Sequence, residues 1–176
     1  MTQTRQKMVT AMFRDHVEGQ EAYQRLLDSG YASSEINVLM SDATRSHYYW
    51  TENKAPVQAK TEAAEGVGVG GAIGTAVGAA LAAVLAIGTT IVVPGLGLVI
   101  AGPIAAAFAG GGAGAVAGGI IGGLIGLGIP EPDARAYQEA LRDGGLVLGV
   151  VPHNADEARV LQALFEDLHG ENICYC

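Results

Sequence analysis

Residues 145–176, GLVLGVVPHNADEARVLQALFEDLHGENICYC, contain a complete strand–helix–strand unit. Gly145 to Val151 is a short β-rich run. Asn154 follows, with Glu157 three residues later, the spacing of a capping box that opens a helix. Ala158, Leu161, Leu164, Phe165 and Leu168 then recur at helical spacing, and Gly170 supplies the C-terminal stop. Ile173 to Cys176 is a second strand.

The same plan stands near the start of the chain. Lys7 to Arg14 is an apolar run of strand length, and Asp15 with Glu18 repeats the capping-box spacing. Ala22, Tyr23, Leu26 and Leu27 mark a helix face, Gly30 ends it, and Ile36 to Met40 forms the next strand. Two βαβ units joined in one antiparallel sheet, with helices on one face, make a ferredoxin-like α+β fold the expected class. A further helix, Pro132 to Asp143, precedes the third strand; Pro132 suits a first turn and Gly144 a stop.

Charge divides the chain into three blocks. Residues 1–65 carry seven Lys/Arg and nine Asp/Glu, residues 131–176 carry three and nine, and residues 66–130 carry none. Twenty of the 26 glycines lie in that middle block. Neither flank buries a sheet alone, so 1–65 and 131–176 are expected to form one discontinuous domain, with 66–130 inserted between its second and third strands. The net charge of −8 argues against nucleic acid, because phosphate binding needs clustered Lys and Arg.

The inserted block is periodic. Gly66, Gly70, Gly74 and Gly78 recur every four residues, continued by Ala82 and Ala86. Gly102, Ala106, Gly110, Gly114, Gly118, Gly122 and Gly126 form a second row. Residues four apart share a helix face, so each row is a stripe nearly without side chains, where another backbone can approach. Glycine costs about 1 kcal/mol against alanine inside a helix, so packing must supply what propensity lacks. Pro94, Gly95, Gly97 and Pro103 are expected to form the turn between two helical arms. Each arm is about 24 residues, roughly 36 Å as a helix, against about 30 Å of bilayer hydrocarbon. Yet residues 66–88 hold only eight Val, Ile or Leu, which supply about −2 to −5 kcal/mol of insertion energy. Two destinations therefore stand open for this glycine zipper: a membrane, with both chain ends cytoplasmic, or a soluble cytoplasmic homo-oligomer with hairpins packed between subunits.

No residue pattern points to catalysis or to a cofactor. There is no Gly-x-x-x-x-Gly-Lys-Ser/Thr, and Gly66 to Gly71 lacks the strand that a dinucleotide fingerprint requires. Ser29, Ser33, Ser34, Ser41 and Ser46 have no His–Asp pattern beside them. Cys174 and Cys176 alternate on a strand and face the same way, as two small apolar side chains of a terminal strand would; two thiolates alone make a poor zinc site, which wants four ligands, and His153 and His169 are the residues that could join them. His47, Tyr48, Tyr49 and Trp50 are either an interfacial belt beside the insertion or a loop over the sheet. A small-ligand or metal-sensing domain is a third reading, on fold analogy alone.

The order of elements, with GLGIPEPDARAYQEALRDGG (Gly126–Gly145) and VVPGLGLVIAGP (Val92–Pro103), resembles bacterial general stress proteins of the 17M type and related low-temperature-induced glycine-zipper proteins. The likeness covers nearly the whole chain, with Thr44 to Lys60 departing from it. It implies a stress-associated bacterial protein with no known catalytic residues. The uncharged insertion itself makes membrane lipid or a second copy of the chain the expected partner, with no known small-molecule substrate.

Overall fold

The computed structural model describes residues 7–49, 90–93, 97–105 and 113–176. Its centre is an antiparallel sheet of six strands: β1 (Val9–Phe13), β2 (Ile36–Ser41), β3 (Thr90–Val93), β4 (Leu98–Ala101), β5 (Leu146–Val150) and β6 (Glu171–Tyr175). They lie in the order β3-β4-β2-β5-β1-β6. Helix α1 (His16–Asp28) joins β1 to β2. The short α2 (Asp42–Thr44) continues as a π-helical turn (Arg45–Tyr49). Helices α3 (Ala113–Gly126) and α4 (Glu131–Arg142) precede β5, and α5 (Ala155–Asp167) joins β5 to β6.

The strands and helices expected in both flanks are present to within a residue or two. Their caps differ in detail from reciprocal boxes. Asp15 accepts from the Val17 amide at 2.8 Å, but Glu18 reaches His169 at 3.2 Å rather than turning back to the cap. Asn154 accepts from the Glu157 amide at 2.8 Å, while the Glu157 carboxylate accepts from the amide of His153, one residue before the cap.

Helices cover both faces of the sheet, not one. On the first face Val9, Phe13, Val38 and Leu148 meet Tyr23 and Leu26 of α1 and Leu161 and Phe165 of α5. Phe13 and Phe165 pack edge to face at 5.7 Å, a favoured aromatic geometry. On the second face Met12, Leu39, Ile100 and Val147 meet Ile120 and Leu124 of α3 and Tyr137 and Leu141 of α4. Successive residues of a strand point to opposite faces, so covering both faces requires apolar side chains at nearly every position. The five residues of β1 and of β5 are all buried accordingly.

The inserted block also differs from a purely helical hairpin. Its middle, expected as the turn, forms a β-hairpin in which Thr90 to Val93 pair with Ala101 to Leu98, and β4 adds to the free side of β2. The β-branched residues of TIVV and LVIA favour extended backbone over helix. Helix α3 is interrupted at Gly119, whose φ of 63° and ψ of −146° are not helical. Its later half lies in the second core, so the insertion shares that core with the flanking blocks.

The return from β4 passes directly against β2. Gly102 has φ +97°, and a Cβ there would sit 2.4 Å from the Ile36 carbonyl oxygen. Beside it, the buried amide of Asn37 donates to the Gly149 carbonyl at 3.1 Å and accepts from the Ile104 amide at 2.8 Å. It thereby caps the helical turn at 103–105. Asn37→Ala removes that acceptor and leaves a buried N–H unpaired, a loss of about 1–3 kcal/mol. Urea unfolding followed by circular dichroism is expected to register it as a lowered midpoint with an unchanged slope.

Candidate functional site

The positions expected to form the glycine stripes fall into two groups. Gly66, Gly70, Gly74, Gly78, Gly110, Pro94 and Gly95 lie outside the described residues. Gly97 occupies the β3–β4 turn with φ +59°, and Pro103 opens the helical turn at 103–105. Gly114, Gly118, Gly122 and Gly126 all lie in α3. That helix turns Ile120 and Leu124 into the core, and turns Gly118, Gly126 and the 41% exposed Ile125 outward. A Cβ built at Gly118 or Gly126 meets nothing within 4 Å. Gly118 and Gly126, on either side of the break at Gly119, are thus outward positions of a helix whose Ile120 and Leu124 side is packed, while Gly122 is half-buried. Among the described residues no helix is long and apolar enough to cross a membrane.

A second cluster joins residues far apart in sequence. Tyr31 stands in the turn after α1, and His153 and Glu157 flank the start of α5. The Tyr31 hydroxyl donates to Glu157 Oε1 at 2.5 Å, and His153 Nδ1 lies 3.0 Å from Glu157 Oε2. The Tyr31 and His153 rings stack at 5.3 Å. Burial, then the bond to Glu157, raises the Tyr31 phenol well above its ordinary value. The hydroxyl of Tyr31 and then the imidazole hold the Glu157 carboxyl below the usual range, and Glu157 in turn raises His153. Carboxylate and imidazole form an ion pair whose carboxylate is 28% exposed and whose imidazole is 62% exposed. The arrangement orients an imidazole and ties the α1–β2 connection to α5. No nucleophile stands against it in the contacts described, and its chemistry is that of a protonation-dependent clasp.

The two histidines that could complete a cysteine metal site contact other groups, His153 with Glu157 and His169 with Glu18. Cys174 and Cys176 are joined to each other in a disulfide. Among the described residues no group of three or more His, Cys, Asp or Glu could hold a metal ion. Of the aromatic run, His47, Tyr48 and Tyr49 lie in the π-helical turn, while Trp50 is outside the described residues. The Tyr31 cluster escaped sequence reading because it spans 126 residues. The signal available was Glu157, already marked as a capping residue, next to a histidine.

The pH dependence of the clasp follows from its two shifts. His153, raised from 6.5, contributes stability that is complete below that value and is lost as pH climbs through the higher folded value. Glu157, lowered from 4.5, contributes stability that is complete above 4.5 and is lost as pH falls through the lower folded value. Both contributions are in force between pH 4.5 and 6.5. The melting-temperature difference between wild type and Glu157→Gln is expected to be largest in that window and to narrow as pH rises above 6.5. Titration of the His153 ring by NMR should move down toward the ordinary value in the variant. Comparisons with family models, with curated proteins and with solved structures find no match to this chain.

Proposed function

We propose that the chain is a non-catalytic interaction protein that associates with copies of itself through the glycine face of its inserted block. The supporting observation is the division of α3 into two faces. Ile120 and Leu124 anchor it in the core, while Gly118 and Gly126 present backbone with room for an approaching helix. A stripe of this kind lets backbones meet closely enough for many small dispersion contacts to add up. Ile125 beside it is one of the few large apolar side chains that are exposed among the described residues.

Membrane association is the second reading, favoured by the absence of any charged side chain from residue 66 to residue 130. A stress-associated role is carried by the resemblance to general stress proteins of the 17M type. The ferredoxin-like description draws its support from the order β2-β5-β1-β6, in which α1 and α5 each connect strands separated by one neighbour.

Gly118→Leu discriminates, because its two effects have opposite signs. Leucine is favoured over glycine in a helix by up to about 1 kcal/mol, so the fold is expected to keep or gain stability. The same side chain fills the approach surface, so self-association should weaken at least about tenfold, equivalent to about 1.4 kcal/mol. Sedimentation velocity in detergent-free buffer reads the assembly, and thermal melting reads the fold. A wild type that is monomeric in buffer but pellets with lipid vesicles supports the membrane reading. A variant that assembles like wild type removes the glycine face from consideration.

A further inference from the structure

The disulfide joins Cys174 of β6 to Cys176, the residue that follows the end of that strand. Disulfides that stabilise a fold do so by tying distant segments and shrinking the unfolded ensemble, and the effect grows with loop length. This bond encloses one residue and links no two elements of the fold. The backbone of β6 is already held by pairing: Thr10 lies opposite Cys174, and Met8 and Cys176 exchange two backbone hydrogen bonds of 2.6 and 3.1 Å. A structural purpose for the bond is therefore absent, whereas its position suits chemistry. Among the described strands β6 ends the sheet, with β1 as its one neighbour, and both cysteines are partly exposed. Their side chains share the face occupied by Met8, because residues i and i+2 of a strand point the same way. Reduced thiols would consequently stay side by side on the paired strand, their Cα atoms being 5.7 Å apart in the bonded form.

We propose that Cys174 and Cys176 form a two-electron thiol–disulfide site that exchanges with low-molecular-weight monothiols while the rest of the domain stays folded. A thiolate of the small thiol attacks one cysteine sulfur, forming a mixed disulfide and releasing the other cysteine as thiolate. A second small thiolate attacks the small-molecule sulfur of that mixed disulfide. The products are the oxidised small-molecule disulfide and the two cysteine thiolates, which take up the two protons given up by the small thiols. The small thiol is oxidised by two electrons and the protein pair is reduced by two. Every step reverses when the oxidised small molecule is in excess.

The full-length protein is equilibrated in graded mixtures of reduced and oxidised glutathione, quenched with an alkylating reagent and weighed intact. The expected result is one transition between an intrachain disulfide and a doubly alkylated dithiol, in native buffer, with no linked dimer. Reduction is expected to move the melting temperature by no more than about 2 °C, since no tertiary link is lost. The variant Cys176→Ser should accumulate a stable mixed disulfide with glutathione at Cys174, the intermediate that wild type resolves. Reactivity that appears only after denaturant is added overturns the proposal. So does melting of the domain on reduction, or oxidation that gives linked dimers in place of the intrachain bond.

Discussion

The side-chain amide of Asn37 connects three parts of the chain that lie far apart in sequence. From the middle of β2 it donates to Gly149 on β5 and to the Met8 sulfur beside β1, and it accepts from Ile104 after β4. It is fully buried, so each of these bonds is made where water cannot substitute, and a partner lost there leaves an unsatisfied polar group. Its neighbours are shaped around it. Gly149 lies opposite both Asn37 and Thr10 in the sheet and has no room for a side chain, since a Cβ would meet the Met8 sulfur at 2.9 Å. Gly102 is tight against the Asn37 backbone for the same reason. One polar residue among apolar strands thus sets where the inserted block rejoins the sheet.

A second polar contact orders the outer layer on that face. The Tyr137 hydroxyl donates to the Asn172 carbonyl at 2.6 Å and accepts from the Thr10 hydroxyl at 2.9 Å. Helix α4 is thereby fixed to β1 and β6 together, and burial raises the phenol above its ordinary value. Arg14 acts at the rim, reaching Glu171 of β6 at 3.1 Å and Asp143 after α4 at 3.8 Å. Exposed pairs of this type contribute little to stability, so orientation of the layer rests on the buried Tyr137 contacts.

Much of the flanking architecture was legible in residue order, because caps, helix periods and glycine stops are local signals. Asp15, Gly30, Asn154 and Gly170 mark element boundaries almost where they occur. The second layer was less visible. The runs VTAMF, INVLM and LVLGV do not alternate apolar with polar, which is the pattern of strands covered on both sides, yet an antiparallel sheet usually has one wet face. The strands within the insertion were hidden by a stronger regularity. TIVV and LVIA flank the sequence Pro-Gly-Leu-Gly, the pattern of a β-hairpin, but they lie between two rows of four-residue glycine period that read as helical arms joined by a turn. The two candidate sites differ in the same way. Cys174 and Cys176 are neighbours in sequence and their shared face could be read directly, whereas Tyr31 and Glu157 meet only through the tertiary fold.

The strand order carries a consequence for how the chain is made. Both strands that pair with β1 come from residues 146–175, so β1 leaves the ribosome long before either partner has been made. Meanwhile sixty-five uncharged residues have already emerged. Closing so long a loop is slow, and unpaired strands beside an apolar segment invite wrong association in the interval. In this topology the delay before β1 can pair is set by sequence separation and not by how well the strands fit once they meet.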